Sequence, residues 1–290
     1  MFEGLNGIFK RYKEKEQGAQ PEKPKAKIIA VCNQKGGCGK TTTAINLSAC
    51  LAKNGFRVLL LDLDPQAHAS LGLGIGVDNL RWTIYDVLIH NVELEKVTVP
   101  TAVNNLSIVP ANHLLSGAQL ELANLLGRES ILRINFKKLF LNQHYDYCVI
   151  DTAPTLNLVT LNGLAAASHV LIPIQTHYFS LEGMKELFST IEIVRDRLNP
   201  DIRVLGILPT LFDGRMKINQ EMLADLREYF SSLVLNTVIR NNSKVIEASR
   251  YRRPVIDYAP ESKGAKDYLS LAQELGALFE DNAYADTAKT

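Results

Sequence analysis

The chain has 290 residues, of which 46% are hydrophobic and 22% are charged, and its formal net charge is +1 at pH 7. These values are typical of a soluble globular protein with one large α/β domain or two small ones, and no apolar run approaches the roughly 18 residues that a membrane span needs. The near-neutral charge excludes binding to nucleic acid or membranes through overall charge, so any such affinity must come from local patches.

The first residues differ from the rest of the chain. Hydrophobic side chains between Phe2 and Tyr12 recur at helical spacing, and a stretch with two prolines and several lysines then predicts a flexible linker. The predicted organisation is an N-terminal amphipathic segment and linker over 1–26, a folded domain over 27–282 and a polar tail over 283–290.

From Lys27 onward, apolar runs typical of buried strands alternate with segments of helical periodicity. The predicted strands lie at 28–32, 57–64, 145–151, 169–174 and 203–210. The predicted helices lie at 41–53, 156–167, 181–198 and 216–230. Strands that alternate with crossover helices form a mostly parallel sheet covered on both faces. We therefore predict a single α/β domain with a doubly wound sheet.

The segment V-C-N-Q-K-G-G-C-G-K-T-T-T (31–43) joins the first predicted strand to the first predicted helix. Its glycines allow backbone N–H groups to curl around phosphate oxygens, and the helix adds its positive end to the site. Lys40 is expected to reach the β- and γ-phosphates, and the Thr41 hydroxyl to bind Mg²⁺. The predicted nucleotide-binding residues are Lys35, Gly36, Gly37, Cys38, Gly39, Lys40, Thr41 and Thr42.

Two acidic motifs follow at the ends of later strands. L-D-L-D-P-Q (61–66) closes the second strand, and its spacing places Asp62 and Asp64 on the same side. Y-C-V-I-D-T-A-P (147–154) closes the third strand with Asp151. All three carboxylates are therefore expected at the carboxyl edge of the sheet, beside the phosphate loop.

Together these motifs resemble those of the ParA/MinD family of ATPases. The loop departs from G-x-x-x-x-G-K-[ST], since Gln34 replaces the first glycine and Lys35 follows it, and it is similar to the family's deviant K-G-G-x-G-K-[ST] loop. The resemblance implies that Lys35 crosses a dimer interface to the partner's ATP. It also implies that Asp64 positions the attacking water, that Asp62 lies near the metal and that Asp151 reaches Mg²⁺ through a water. The implied catalytic residues are Lys35, Lys40 and Asp64, and the implied metal-binding residues are Thr41, Asp62 and Asp151.

The cysteines lack C-x-x-C spacing and predict reduced thiols in a cytoplasmic protein. Their placement argues against a shared iron–sulfur cluster. Cys38, inside the phosphate loop, is either a redox-sensitive thiol or a small filler residue. The four cysteines are Cys32, Cys38, Cys50 and Cys148.

The carboxy-terminal part carries a basic patch. Between Arg240 and Lys266, seven basic residues stand against three acidic ones, which gives a local charge of +4. The segment R-N-N-S-K-V-I-E-A-S-R-Y-R-R-P-V resembles the family region for non-specific DNA binding, with Arg252 in place of the family's glycine. The predicted DNA-binding residues are Arg215, Arg240, Lys244, Arg250, Arg252, Arg253 and Lys266.

The resemblance implies a switch ATPase of the ParA/Soj type that uses ATP and Mg²⁺. ATP would form a homodimer that binds DNA without sequence preference, and hydrolysis, stimulated by a ParB-like activator or cargo adaptor, would release it. Such a protein is cytoplasmic and nucleoid-associated, and it partitions or positions a chromosome, a plasmid or a large complex. The alternatives are a MinD-like ATPase whose N-terminal segment contacts the membrane, and a metabolic P-loop enzyme. Weak candidates for the adenine site are Pro209, Thr210, Asp213 and Pro260.

Overall fold

The computed structural model describes residues 26–176 and 182–287, which contain seven strands in one sheet. The strands are β1 (Lys27–Val31), β2 (Val58–Leu63), β3 (Val99–Pro100), β4 (Leu106–Val109), β5 (Tyr147–Thr152), β6 (His169–Gln175) and β7 (Arg203–Thr210). Their order is β3-β4-β2-β5-β1-β6-β7, and all neighbours pair in parallel except β3 and β4. The predicted doubly wound α/β fold and its five strands are confirmed.

The strand prediction missed one edge of the sheet. β3 has two residues and β4 has four, and runs this short carry too little periodicity to be distinguished from loop sequence. The antiparallel β3 closes the β4 edge, which limits the exposed backbone there.

Helices cover both faces of the sheet. The α-helices of the described residues are α1 (Lys40–Lys53), α2 (His68–Gly72), α3 (Ile84–His90), α4 (Leu94–Val97), α5 (Ala118–Leu122), α6 (Ile131–Asn142), α7 (Leu158–Ala166), α8 (Glu182–Arg197), α9 (Lys217–Phe230), α10 (Ser243–Arg250), α11 (Val255–Tyr258) and α12 (Lys263–Thr287). Short 3₁₀ turns lie at Val77–Asn79, His113–Ser116 and Ser231–Leu233.

The predicted terminal segments lie partly outside the described residues. The amphipathic segment predicted over 1–26 lies outside the described residues except for Ala26, which is buried. α12 continues to Thr287, within the polar tail predicted over 283–290, and the boundaries of that tail stay a prediction. In the described part of the chain, no helix is both long and apolar enough to cross a bilayer.

Two hydrophobic clusters hold the helices against the sheet. One cluster packs α3, α5, α6, α7, α8 and α9 on one face, and the other packs α1, α10, α11 and α12 on the opposite face. On the second face, Gly264 in α12 lets α10 approach closely, because a Cβ at this position would lie 2.5 Å from Cγ2 of Val245. The first turn of α12 is therefore fixed directly beneath α10.

His169 lies at the amino end of β6, where burial, together with the nearby charges of Lys27 and Arg203, lowers its pKa from 6.5 to about 4. Its ring meets that of Phe279 edge-on at 4.9 Å. The folded protein therefore takes up this proton only near pH 4, whereas the unfolded chain takes it up near pH 6.5. On acidification between these values, His169 alone should lower the free energy of unfolding by up to about 3 kcal/mol.

Chemical denaturation at pH 7 and pH 4.5 tests this expectation. The variant His169→Gln cannot accept the proton, so it should lose less stability on acidification than the wild type. His113→Gln, at an exposed histidine, is the matched control and should follow the wild type. Equal acid sensitivity of all three proteins would contradict the assignment.

Candidate functional site

The candidate site lies at the carboxyl edge of the sheet, between β1 and β5. The chain leaves β1 towards α1 on one face and leaves β5 towards α7 on the other face. In open α/β sheets, ligands bind in the crevice that forms where connections diverge in this way. Val31 of β1 is in register with Asp151 of β5, which is in register with Asp62 of β2. The fold thus brings the phosphate loop and the acidic motifs together.

The phosphate loop has the conformation that its glycines allow. Gly37 and Gly39 have φ angles of 73° and 86°, in the left-handed region that side chains disfavour. The Gln175 amide donates a hydrogen bond to the Gly37 carbonyl at 2.6 Å, and the Thr210 hydroxyl donates one to the Cys38 carbonyl at 2.8 Å. Neighbouring strands β6 and β7 therefore brace the loop through its carbonyl oxygens, which leaves backbone N–H groups for an anion.

The side chain of one loop lysine binds the backbone of the other. Lys40 is buried, and its ammonium donates to the carbonyl of Lys35 at 3.0 Å. The Lys35 N–H donates to the side chain of Asn33 at 3.0 Å, and Asn33 in turn donates to the carbonyl of Pro173 at 2.7 Å. The Lys35 backbone is thus held at both its N–H and its carbonyl, while the Lys40 charge lies within the loop.

Asp151 is the most unusual group of the site. It is fully buried, and neither carboxylate oxygen has a hydrogen bond of regular geometry among the described residues. Burial raises its pKa well above the ordinary value, and the carboxylate of Asp62 raises it further. The nearby Thr41 hydroxyl and the Lys40 charge offset this effect only in part. A buried carboxylate without a partner requires a proton or a cation.

Asp62 is buried beside Asp151, but its oxygens are already engaged. One oxygen accepts the Asp64 N–H at 3.1 Å, and the other accepts both the N–H and the hydroxyl of Ser70, at 2.8 and 2.7 Å. Burial raises the pKa of Asp62 to about 6, against the effect of these hydrogen bonds. The contacts favour a positioning role, in which Asp62 fixes the turn that carries Asp64.

Asp64 follows β2 and is positioned by its own turn. One carboxylate oxygen accepts the Gln66 N–H at 2.9 Å, and within the described residues the other oxygen accepts no hydrogen bond. The free oxygen leaves Asp64 able to accept a hydrogen bond from a water. Its assignment as the water-positioning residue stays a prediction.

The residues of the site fit Mg²⁺. Among the described residues, no three His, Cys, Asp or Glu side chains converge into a metal site of their own, and Mg²⁺ is commonly held by one or two carboxylates together with waters and substrate phosphates. Thr41 and the unpartnered Asp151 would supply the protein's share, with the cation offsetting the charge that raises the Asp151 pKa. The predicted metal role of Asp62 is less direct, because hydrogen bonds engage both its oxygens.

Several residues that support the site were missed in the sequence analysis. Asn33, Gln175 and Ser70 brace the loop or Asp62 through contacts that no local motif reveals. The Thr210 hydroxyl supports the phosphate loop, and the predicted place of this residue near the adenine stays a prediction. Asp213 accepts hydrogen bonds from Arg215. Its predicted place near the adenine base stays a prediction.

The cysteines are free and buried. The Cys38 thiol donates to the Lys35 carbonyl at 3.2 Å, and burial raises its pKa although Lys40 lies nearby. Burial also raises the pKa of Cys32, to about 11. A buried thiol with a raised pKa forms little reactive thiolate. These facts favour the filler interpretation of Cys38 over the redox interpretation.

The predicted DNA-binding residues meet at one end of the molecule. The backbone of Phe212 pairs with that of Arg240, which places the loop carrying Arg215 beside the start of α10. Arg240 also forms an ion pair with the buried Asp267 in the first part of α12. The loop after β7, α10 with the residues that follow it, and the start of α12 therefore lie side by side. We call the surface formed by their predicted DNA-binding residues the basic surface.

The cations of the basic surface differ in how they are engaged. Four of them form ion pairs with acidic side chains, and Arg253 donates to the carbonyl of Asp257. In the part of the chain that the structure describes, the exposed Arg250 and Arg252 have no acidic partner. The ion pairs are Arg215–Asp213, Arg240–Asp267, Lys244–Glu247 and Lys266–Glu261.

Known proteins resemble this chain in sequence and in fold. A family model described as an AAA domain matches residues 26–204. The sporulation initiation inhibitor protein Soj of Bacillus subtilis is 42% identical over 251 residues, which cover 87% of this chain and 98% of Soj. The chromosome partitioning protein ParA of Myxococcus xanthus is 45% identical over 249 residues, which cover 86% of this chain and 87% of that protein.

A solved structure with bound nucleotide is also similar. It is described as cobyrinic acid a,c-diamide synthase from Mycobacterium smegmatis with bound ADP and magnesium. The two chains are 34% identical, with a TM-score of 0.78, and the match covers 89% of this chain and 96% of that one.

Proposed function

This chain belongs to the ParA/Soj family of P-loop ATPases, and from that premise we propose that it partitions or positions a DNA or protein cargo through an ATP-dependent cycle of dimerisation and DNA binding. It is a positioning ATPase of the ParA type, with ATP as its substrate and Mg²⁺ as its cofactor. The finer steps of the cycle, its partners and a place on the nucleoid are parts of the proposal.

The catalytic proposal assigns a step to each group of the site. The braced loop and Lys40 would hold the triphosphate, and Mg²⁺ when bound supplies a charge that stabilises the phosphate oxygens during transfer. Asp64 would accept a hydrogen bond from the attacking water, while Asp62 fixes the Asp64 turn. Lys35, whose backbone is held on both sides, would extend its ammonium to the nucleotide of a second copy.

The observation that carries the DNA-binding proposal is the conformation of Arg252. It follows α10 with a φ angle of 54°, and the backbone N–H groups of Arg252 and Arg253 bond to carbonyls of the last turn, as at a helix end that favours glycine. The left-handed conformation costs an L-residue about 1 kcal/mol. An exposed arginine kept at this cost is expected where its charge is used, here by DNA phosphates.

Arg252→Gly should therefore separate stability from binding. We expect the free energy of unfolding to rise by about 1 kcal/mol, because glycine adopts this conformation without strain. The slope of log affinity for DNA against log salt should become shallower by about one unit, because one phosphate contact is lost. Arg252→Lys keeps the charge and should retain the slope. A glycine variant that is less stable, or that binds DNA with the wild-type slope, would refute this role.

The test of the proposed function is DNA binding by the intact chain with Mg²⁺ and a non-hydrolysable ATP analogue. We expect a dimer that binds unrelated duplex sequences with similar affinity. Lys40→Ala, which removes the buried loop cation, should neither dimerise nor bind DNA. A wild-type protein that stays monomeric with the analogue, or that binds no DNA, would overturn the proposal.

Two alternative functions have weaker support than partitioning. The first alternative is a metabolic enzyme, and the similar structure described as a synthase supports it. The Soj and ParA relatives are more similar in sequence, which favours partitioning. A MinD-like membrane cycle rests on the N-terminal segment, which lies outside the described residues. Retention of the intact chain on anionic vesicles, lost when residues 1–20 are removed, would support it. For the partitioning cycle, we propose that a ParB-like protein activates ATP hydrolysis.

A further inference from the structure

Two exposed apolar side chains interrupt the basic surface. Ile246 of α10 is 70% exposed and Tyr251, directly after the helix, is 61% exposed. Val245 and Ala248 of the same helix face the core, so Ile246 points away from the protein. Ile246 and Arg250 are four residues apart and share a helix face. The unpaired arginine thus has an apolar neighbour that the fold does not require.

Tyr251 is held in a defined orientation. Its ring stacks on that of Tyr258 at 5.2 Å with an interplanar angle of 18°. The Tyr258 hydroxyl donates to Glu247 at 3.0 Å, and Glu247 forms an ion pair with Lys244 at 2.7 Å. One face of the Tyr251 ring is therefore covered, and its exposed area lies on the opposite face and the ring edge.

Apolar side chains next to cations contribute to DNA binding in other proteins. Proteins that enter the minor groove combine cations with apolar side chains that pack against sugars and base steps. The residues from Ser249 to Arg253 are all exposed, so Arg250 and Arg252 flank the Tyr251 ring along the chain. The cations would fix the phosphates on either side, which brings the ring and Ile246 against the groove between them.

We propose that Tyr251 and Ile246 pack against the sugars and base edges of duplex DNA, so that part of the DNA affinity of this protein is not electrostatic. This inference rests on the proposed DNA-binding function. It adds to that function a contact that salt does not screen, because burial of apolar surface is independent of counterion release.

Binding of a labelled duplex to the intact chain, loaded with Mg²⁺ and a non-hydrolysable ATP analogue, tests the inference across a salt series. Tyr251→Ala should weaken binding roughly five- to thirty-fold at every salt concentration, and Ile246→Ala should weaken it in the same manner. The slope of log affinity against log salt should stay at the wild-type value. Arg250→Ala is the contrasting variant, and it should make the slope of log affinity against log salt shallower by about 0.9.

Two matched controls accompany these variants. Tyr251→Phe keeps the ring and should bind as the wild type does. Leu141→Ala removes an equally exposed apolar side chain from α6, on the other face of the sheet, and should have no effect. Binding of anionic vesicles by the same proteins shows whether the apolar pair serves lipid instead.

The outcomes separate this inference from the proposed function. If the wild type binds DNA and Arg250→Ala weakens it, but Tyr251→Ala binds as the wild type does, the inference fails and the function stands. A Tyr251→Ala variant that changes the salt slope would also overturn it, as would a loss of vesicle binding with unchanged DNA affinity. If the wild type binds no DNA, both fail.

Discussion

Replacement of Asp64 by alanine is expected to slow ATP hydrolysis by about 10²–10⁴-fold, the range that a positioned acid–base group contributes. The structure supports this role because Asp64 is nearly buried, its turn is fixed by Asp62, and one of its oxygens remains available to a water. Nucleotide binding depends on the loop and Lys40, which the substitution leaves in place. The variant should therefore accumulate as an ATP-bound dimer that still binds DNA.

Asp64→Asn distinguishes chemistry from local structure. The amide oxygen can still accept the Gln66 N–H, so the turn should persist, whereas the amide cannot act as a carboxylate towards water. We expect the asparagine variant to hydrolyse ATP as slowly as the alanine variant. Asp78→Ala, in an exposed turn, is the control. Single-turnover kinetics measures ATP hydrolysis, and size-exclusion chromatography measures dimerisation. Hydrolysis at the wild-type rate by either Asp64 variant would contradict the mechanism. An Asp64 variant that stays monomeric in saturating ATP would contradict it as well.

Replacement of Asp151 by asparagine should have opposite effects on the empty and the loaded protein. Without nucleotide, the buried carboxylate has no hydrogen bond of regular geometry within the described residues and is repelled by Asp62, so the neutral amide should raise the free energy of unfolding by about 1–3 kcal/mol. With Mg²⁺ and ATP, the wild type should gain stability that the variant lacks, because the amide no longer offers charge to the cation. Thermal unfolding with and without Mg²⁺ and ATP measures both effects.

The pH dependence gives an independent check on the same group. Both carboxyls have raised pKa values, so the folded protein retains protons that the unfolded chain releases near pH 4. The stability that these two carboxyls contribute to the nucleotide-free protein should therefore fall as the pH rises from about 4 through about 6, where Asp62 ionises, and this contribution is opposite in sign to that of His169. Asp151→Asn should reduce this fall. Asp62→Asn should instead destabilise the protein, because it disturbs the acceptors of Ser70 and Asp64. Equal stability of Asp151→Asn and wild type without nucleotide would refute the account.

The sequence predicted those parts of the site that depend on local order. The strand–glycine loop–helix arrangement around Lys40 is a short-range pattern. The carboxyl ends of parallel strands must meet at one edge, so the common location of Asp62, Asp64 and Asp151 follows from their positions at strand ends. The apolar runs of the five longer strands were equally informative, because each is buried on both faces.

Other features could not be predicted because they depend on distant contacts. Gln175 and Thr210 reach the phosphate loop from strands more than a hundred residues away. The engagement of Arg240 by Asp267 follows from the docking of α12, which no spacing in the basic patch reveals. The hydrogen bonds that Asp62 accepts from Asp64 and Ser70 could not be predicted either, and the metal role that the resemblance implies for Asp62 stays a prediction.

The end of β7 has a thermodynamic consequence. Thr210 touches the phosphate loop, and two residues later Phe212 pairs with Arg240 at the basic surface. Two ligands that bear on one short segment influence each other's affinity by the same factor. On the proposed function, any factor by which ATP tightens DNA binding is also the factor by which DNA tightens ATP binding, so bound DNA would retain the nucleotide as effectively as the nucleotide retains the protein on DNA.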